Sequence, residues 1–86
     1  MAKDDRLSQV MVLTEAEAVT PSDSVDLPGA APRALYTGSG GDVAVIPWNG
    51  AASVVLVGLA AGAWHPLSVR RVLVTGTTAT DILVGR

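Results

Sequence analysis

From residue 34 onward the chain is a series of short apolar runs, each stopped by glycine, proline or an Asn-Gly pair. Runs at 34–37, 43–46, 53–59, 67–74 and 80–84 are too short and too often interrupted for an amphipathic helix, and their Val, Ile, Leu and Thr content suits strands. The breaks have turn chemistry. Gly38-Ser39-Gly40-Gly41 predicts a tight reversal into the strand at 43–46, because glycine takes the positive φ that reversals require. Asn49-Gly50 predicts a two-residue hairpin of type I′. The small residues 60–63 lead to Trp64-His65-Pro66, and Thr75-Gly76-Thr77-Thr78 turns the chain into its final strand. No Asp, Glu, Lys or Arg occurs from 43 to 69. A stretch without charge has to be covered by protein, lipid or a partner, so 53–59 is expected to be the most buried strand. The pattern predicts an all-β domain, a small antiparallel β-sandwich or barrel of about five to seven strands.

Before residue 34 the pattern is weaker. Leu7, Val10, Met11 and Thr14 have the i, i+3, i+4, i+7 spacing of a short helix, while the apolar run 10–13 equally suits a strand. Residues 18–32 contain Pro21, Pro28 and Pro32 among Ser, Asp and Gly, which predicts extended, irregular chain. The sequence therefore divides into an extended N-terminal arm, 1–17, and a β domain, 18–86.

Size changes how that domain is expected to live. A chain of 86 residues buries roughly 60–65% of its unfolded surface, which leaves a thin core. It has no Cys for disulfides and no Phe to add large buried faces. Association with other chains is the remaining support, and a homo-oligomer, pentamer or trimer, is expected. Charge is uneven. Six acids (Asp4, Asp5, Glu15, Glu17, Asp23, Asp26) and two bases (Lys3, Arg6) fall in 1–32, while Arg33, Arg70, Arg71 and Arg86 against Asp42 and Asp81 reverse the balance later. A head-to-tail contact, or an arm laid over a neighbour, could use that asymmetry.

Several functions are disfavoured. The start of the chain lacks the apolar stretch of a secretory signal. Trp48 and Trp64 bracket an apolar run, but 51–64 is shorter than the ~20 residues a membrane helix needs, so no membrane role is expected. The net charge of -2 gives no drive toward nucleic acid, and two arginines without stacking aromatics do not make a binding strip. The run Val72-Leu73-Val74-Thr75-Gly76 imitates the opening of a dinucleotide-binding fold, but ten residues after Gly76 cannot supply the rest of one. Gly38-Ser39-Gly40-Gly41 lacks the Gly-Lys-Ser/Thr and helix of a phosphate loop. His65 is the one histidine, and no spacing joins it to a carboxylate. No catalytic residue, metal or cofactor is expected. Arg70 and Arg71 are adjacent in a strand, so strict alternation sends them to opposite faces, one of them toward an interior or a subunit contact. Trp48 and Trp64 are core or contact anchors. The interface candidates are Leu7, Met11, Arg33, Tyr36, Trp48, Trp64, Arg70 and Arg71.

An ordered set of short pieces carries a resemblance. Ala18-Val19-Thr20-Pro21-Ser22-Asp23, Asp26-Leu27-Pro28, Arg33-Ala34-Leu35-Tyr36, Gly38 and Gly41-Asp42 stand in the first half. Ala61-Gly62, Pro66-Leu67, Arg70-Arg71-Val72 and Thr75-Gly76-Thr77-Thr78-Ala79 stand in the second. Together, over about 18–84, they resemble the head-spike base proteins of tailed phages and gene transfer agents. The resemblance implies a virion structural protein, made in the bacterial cytoplasm and assembled on the capsid exterior near a vertex. There it would contact the major capsid protein and anchor a fibre or spike. A capsid cement protein at local threefold positions and a small ligand-binding β-barrel are the alternatives.

Overall fold

Seven strands form in residues 12–86, the part of the chain described by this computed structural model. They are β1 (Ala16–Ala18), β2 (Ala34–Thr37), β3 (Gly41–Pro47), β4 (Val54–Leu59), β5 (Ala63–His65), β6 (Val69–Val72) and β7 (Ile82–Gly85). All pairings are antiparallel. One sheet has the order β1-β7-β2-β5 and the other β4-β3-β6. The domain is a β-sandwich.

Its core follows from which strand faces meet. In the first sheet Leu35 lies opposite Val84 and Thr37 opposite Ile82. In the second, Val45 sits between Val54 and Val72. Leu35, Val43, Val45, Val69, Val72 and Val84 are fully buried and, with Ala79 and Ile82, form one cluster between the sheets. Each such aliphatic side chain contributes about 1.5–3 kcal/mol on burial. Thr37 is the buried polar residue of this layer, and its hydroxyl donates to the Ala60 carbonyl at 3.2 Å.

Four expectations are corrected. The strand expected at 53–59 is not the most buried. It is β4, an edge strand with Val54 and Val55 48% exposed and Val57 76% exposed. Only β3 flanks it, so its lack of charge does not translate into cover. Gly38-Ser39-Gly40-Gly41 does not fold β2 back on β3 as a hairpin, because the two strands belong to different sheets. β3 and β4 do pair, but Gly50 N–H donates to the Pro47 carbonyl at 2.9 Å and neither Asn49 nor Gly50 has the positive φ of a type I′ turn. The long strand expected at 67–74 is the four-residue β6, interrupted by a bulge.

The short strands β1 and β5 were not foreseen. β1 spans the boundary placed between 17 and 18 and pairs with β7. Leu7, Val10 and Met11 of the expected helix or strand lie outside the described residues, and Val12 to Glu15 carry neither.

Candidate interaction surfaces

The bulge in β6 decides where its arginines go. Ile46 pairs with Arg71 and Pro47 with Val69, which leaves Arg70 without an opposite residue. The extra residue cancels the alternation, so Val69 and Val72 both reach the core and both arginines turn away from it. The expectation of opposite faces is therefore wrong: both side chains converge on Asp26. Arg71 Nε and Nη2 each lie 2.9 Å from Asp26 Oδ1, and Arg70 Nε lies 3.8 Å from it. Arg71 Nη1 also donates to the Asp23 carbonyl at 3.2 Å.

Those contacts fasten the irregular chain around residues 22–27 across the open side of β6. Ser22 N–H donates to the Val72 carbonyl and Leu27 N–H to the Arg70 carbonyl, each at 2.8 Å. Asp23 Oδ1 accepts the amides of Val74 and Thr75 at 2.9 and 3.1 Å, and Oδ2 accepts the Thr75 hydroxyl at 2.8 Å. The Thr75 amide and hydroxyl, aided by the Val74 amide and the Arg71 charge and opposed by desolvation, hold the Asp23 carboxyl below the usual 3.8.

A second surface lies on the outer side of the four-stranded sheet. Ala18 faces Leu83, Leu83 faces Tyr36, and Tyr36 faces Trp64, so one uncharged row crosses all four strands. The Tyr36 and Trp64 rings are 5.2 Å apart at 47°. Trp64 is 36% exposed, and Gly85 is buried between it and Leu13.

Arg86 closes one side of the domain. Its Nη1 lies 2.6 Å from Glu17 Oε1, Nε donates to the Ala30 carbonyl at 2.8 Å and Nη2 to the Pro28 carbonyl at 2.6 Å. A groove of about 480 Å³ between Glu15, Glu17, Pro28, Ala30 and Arg86 is lined by this clamp. With all three of its side-chain nitrogens committed, Arg86 is a fastener there.

The remaining candidates are dispersed. Arg33 is exposed and its Nη1 donates to the Val12 carbonyl at 3.3 Å. Trp48 is 36% exposed in the β3–β4 connection, with its amide donating to the Ser68 carbonyl at 3.0 Å. Leu7 and Met11 lie outside the described residues. The structure thus joins Tyr36 to Trp64 and Arg70 to Arg71, and joins neither pair to Arg33 or Trp48. His65 Nε2 lies 3.3 Å from the Ala60 carbonyl. Among the described residues no three of His, Asp and Glu gather as metal ligands, and no helix is long and apolar enough to cross a membrane.

Asp23, Asp26 and Arg86 were missed as organisers. The two aspartates were read as solvated charge in a proline-rich segment, and the partners that give them roles are 45 or more residues away in sequence. The exposed valines of β4 were missed because edge position is a property of the assembled sheet.

No protein-family model matches the chain, and no curated protein does. Among solved structures it is similar to a chain of the capsid of a native gene transfer agent particle computed with C5 symmetry. The two are 36% identical over 87% of this chain and 84% of that one, with a TM-score of 0.75. The likeness thus covers nearly all of both chains and extends to the fold, so this protein belongs to the same family as that component of a gene transfer agent capsid particle.

Proposed function

We propose that the protein is a head-spike base: a non-enzymatic structural component on the outside of a phage-like or gene-transfer-agent capsid, near a vertex, where several copies anchor a fibre or spike. The observation that carries this reading is the 36% identity, over most of both chains, to a component of a capsid particle computed with C5 symmetry. The chemistry is compatible with it. The charged groups of the described residues serve as fasteners between distant segments, as at Asp23, Asp26 and Arg86. What the surface offers is apolar: the Tyr36–Trp64 row and the β4 valines. Such surfaces suit protein–protein contact. Contacts to the major capsid protein and to a fibre protein are part of the proposal.

The test is to label the protein and image purified particles. Label confined to vertices, with a fibre lost when the gene is deleted, is the expected result. Label spread over the whole shell would replace this reading with a cement role, and unlabelled particles would remove the virion role altogether.

A further inference from the structure

A two-sheet sandwich has four edges, and this chain treats them differently. β6 is covered by its own chain, through the bonds from Ser22 to Val72 and from Leu27 to Arg70. β1 and β5 are three residues each, the first carrying Glu17 and the second running directly into Pro66. Short length, charge and proline are the usual means of making an edge unattractive to another strand. β4 has none of these protections. It runs Val54-Val55-Leu56-Val57-Gly58-Leu59, six residues with no charge and no proline, and Val57 is 76% exposed. On its outward side no backbone partner is found among the described residues.

An edge of that kind templates strand addition. We propose that β4 is a strand-addition site and that its occupant is an extended segment of a second copy of this chain. This rests on the proposed particle role, in which the protein works in several copies. Charge favours a copy as occupant. The strand and the whole stretch 43–69 around it carry no Asp, Glu, Lys or Arg, so two copies meet there without like-charge repulsion. The net charge of -2 adds little long-range repulsion to oppose the approach. If β4 meets a different edge of its neighbour, the contact repeats head to tail and can close a ring; if β4 meets β4, it gives a twofold pair.

The experiment measures molar mass by light scattering across a concentration series, for the full chain and for Val57→Lys and Val55→Lys. Both substitutions fall on exposed side chains, and far-ultraviolet circular dichroism checks that the sheet content is kept. The expected result is an oligomer for the native chain and a shift to monomer for both variants. In parallel, the amides of β4 should exchange slowly in the native oligomer and rapidly in the variants. A native chain that is monomeric throughout, or an oligomer indifferent to both lysines, overturns the proposal. So does a monomer that loses particle attachment when Val57 is changed, since the occupant is then another capsid component. A chain that oligomerises through β4 but never attaches to particles refutes the head-spike reading and leaves this one standing.

Discussion

Asp23 and Thr75, 52 residues apart, are joined twice: the carboxylate accepts the Thr75 amide at 3.1 Å and its hydroxyl at 2.8 Å. This pairs the irregular segment before β2 with the turn after β6 and makes one unit of chain that local sequence leaves separate. A carboxylate so held has a lowered pKa in the folded state. Its stabilising contribution is therefore fully present above the unfolded value, 3.8, and is lost as pH falls through the lower folded value. Chemical denaturation between pH 6 and pH 2 should show a loss of stability at the acid end, reduced in Asp23→Asn. Equal acid limbs for the two proteins would mean that the Asp23 contacts do not hold in solution.

Arg86 serves Glu17, Ala30 and Pro28 at once, with its side chain 13% exposed. Its fork of donors is what makes three acceptors reachable together. Arg86→Ala should lower the unfolding free energy by about 2 kcal/mol, at the scale of charge-assisted hydrogen bonds. Arg86→Lys should recover less than half of that, because an ammonium lacks the planar fork. Urea midpoints of the three proteins decide it.

Gly41 has φ +151°, and a Cβ there would lie 2.8 Å from Thr78 Oγ1 and 3.0 Å from the Ala79 amide nitrogen. The obstruction includes backbone that cannot retreat cheaply, since Thr78 and Ala79 both donate to the Asp42 carbonyl. Gly41→Ala should cost about 1–3 kcal/mol, the usual range for a residue forced into a strained backbone region. Gly40→Ala, with its nearest neighbour at 3.3 Å and no positive φ, serves as the milder comparison in the same thermal melts.

These contacts mark the limit of what the residue pattern carries. The strands at β2, β3 and β7 were legible because short Val, Ile and Leu runs bounded by glycine have few other solutions. Their assignment to sheets was not legible. Nothing local to Gly38-Ser39-Gly40-Gly41 distinguishes a hairpin turn from a crossing between sheets, because both need the same backbone freedom. β4 reads as buried since composition reports a need for cover without saying whether the chain itself provides it. The bulge at Arg70 escaped for a related reason: alternation fixes faces only while the register is unbroken, and one unpaired residue swings Arg70 to the side of Arg71. Asp23 and Asp26 looked idle because their partners lie in β6 and the turn after it. The surface candidates Tyr36 and Trp64 were identified individually, whereas their pairing depends on the β2–β5 register, which no turn between them encodes.

Trp64 has a structural task that competes with its availability for partners. Its ring packs against Tyr36 at 5.2 Å and against Gly85, where a Cβ would stand 3.0 Å from Trp64 Cζ3 and closer still to Leu13 Cδ1. Glycine is therefore required at 85 by the ring and the leucine that cover it. Gly85→Ala should cost about 1–3 kcal/mol as overpacking, and Trp64→Ala a similar amount through lost aromatic and apolar contact. The informative measurement is the double variant. With the indole gone, the new methyl group has room on one side, so the two costs should add to more than the double variant shows, by at least about 0.5 kcal/mol. Strict additivity in thermal and urea unfolding would mean that Trp64 does not press on Gly85 in solution. The ring would then be left free as a contact for other chains.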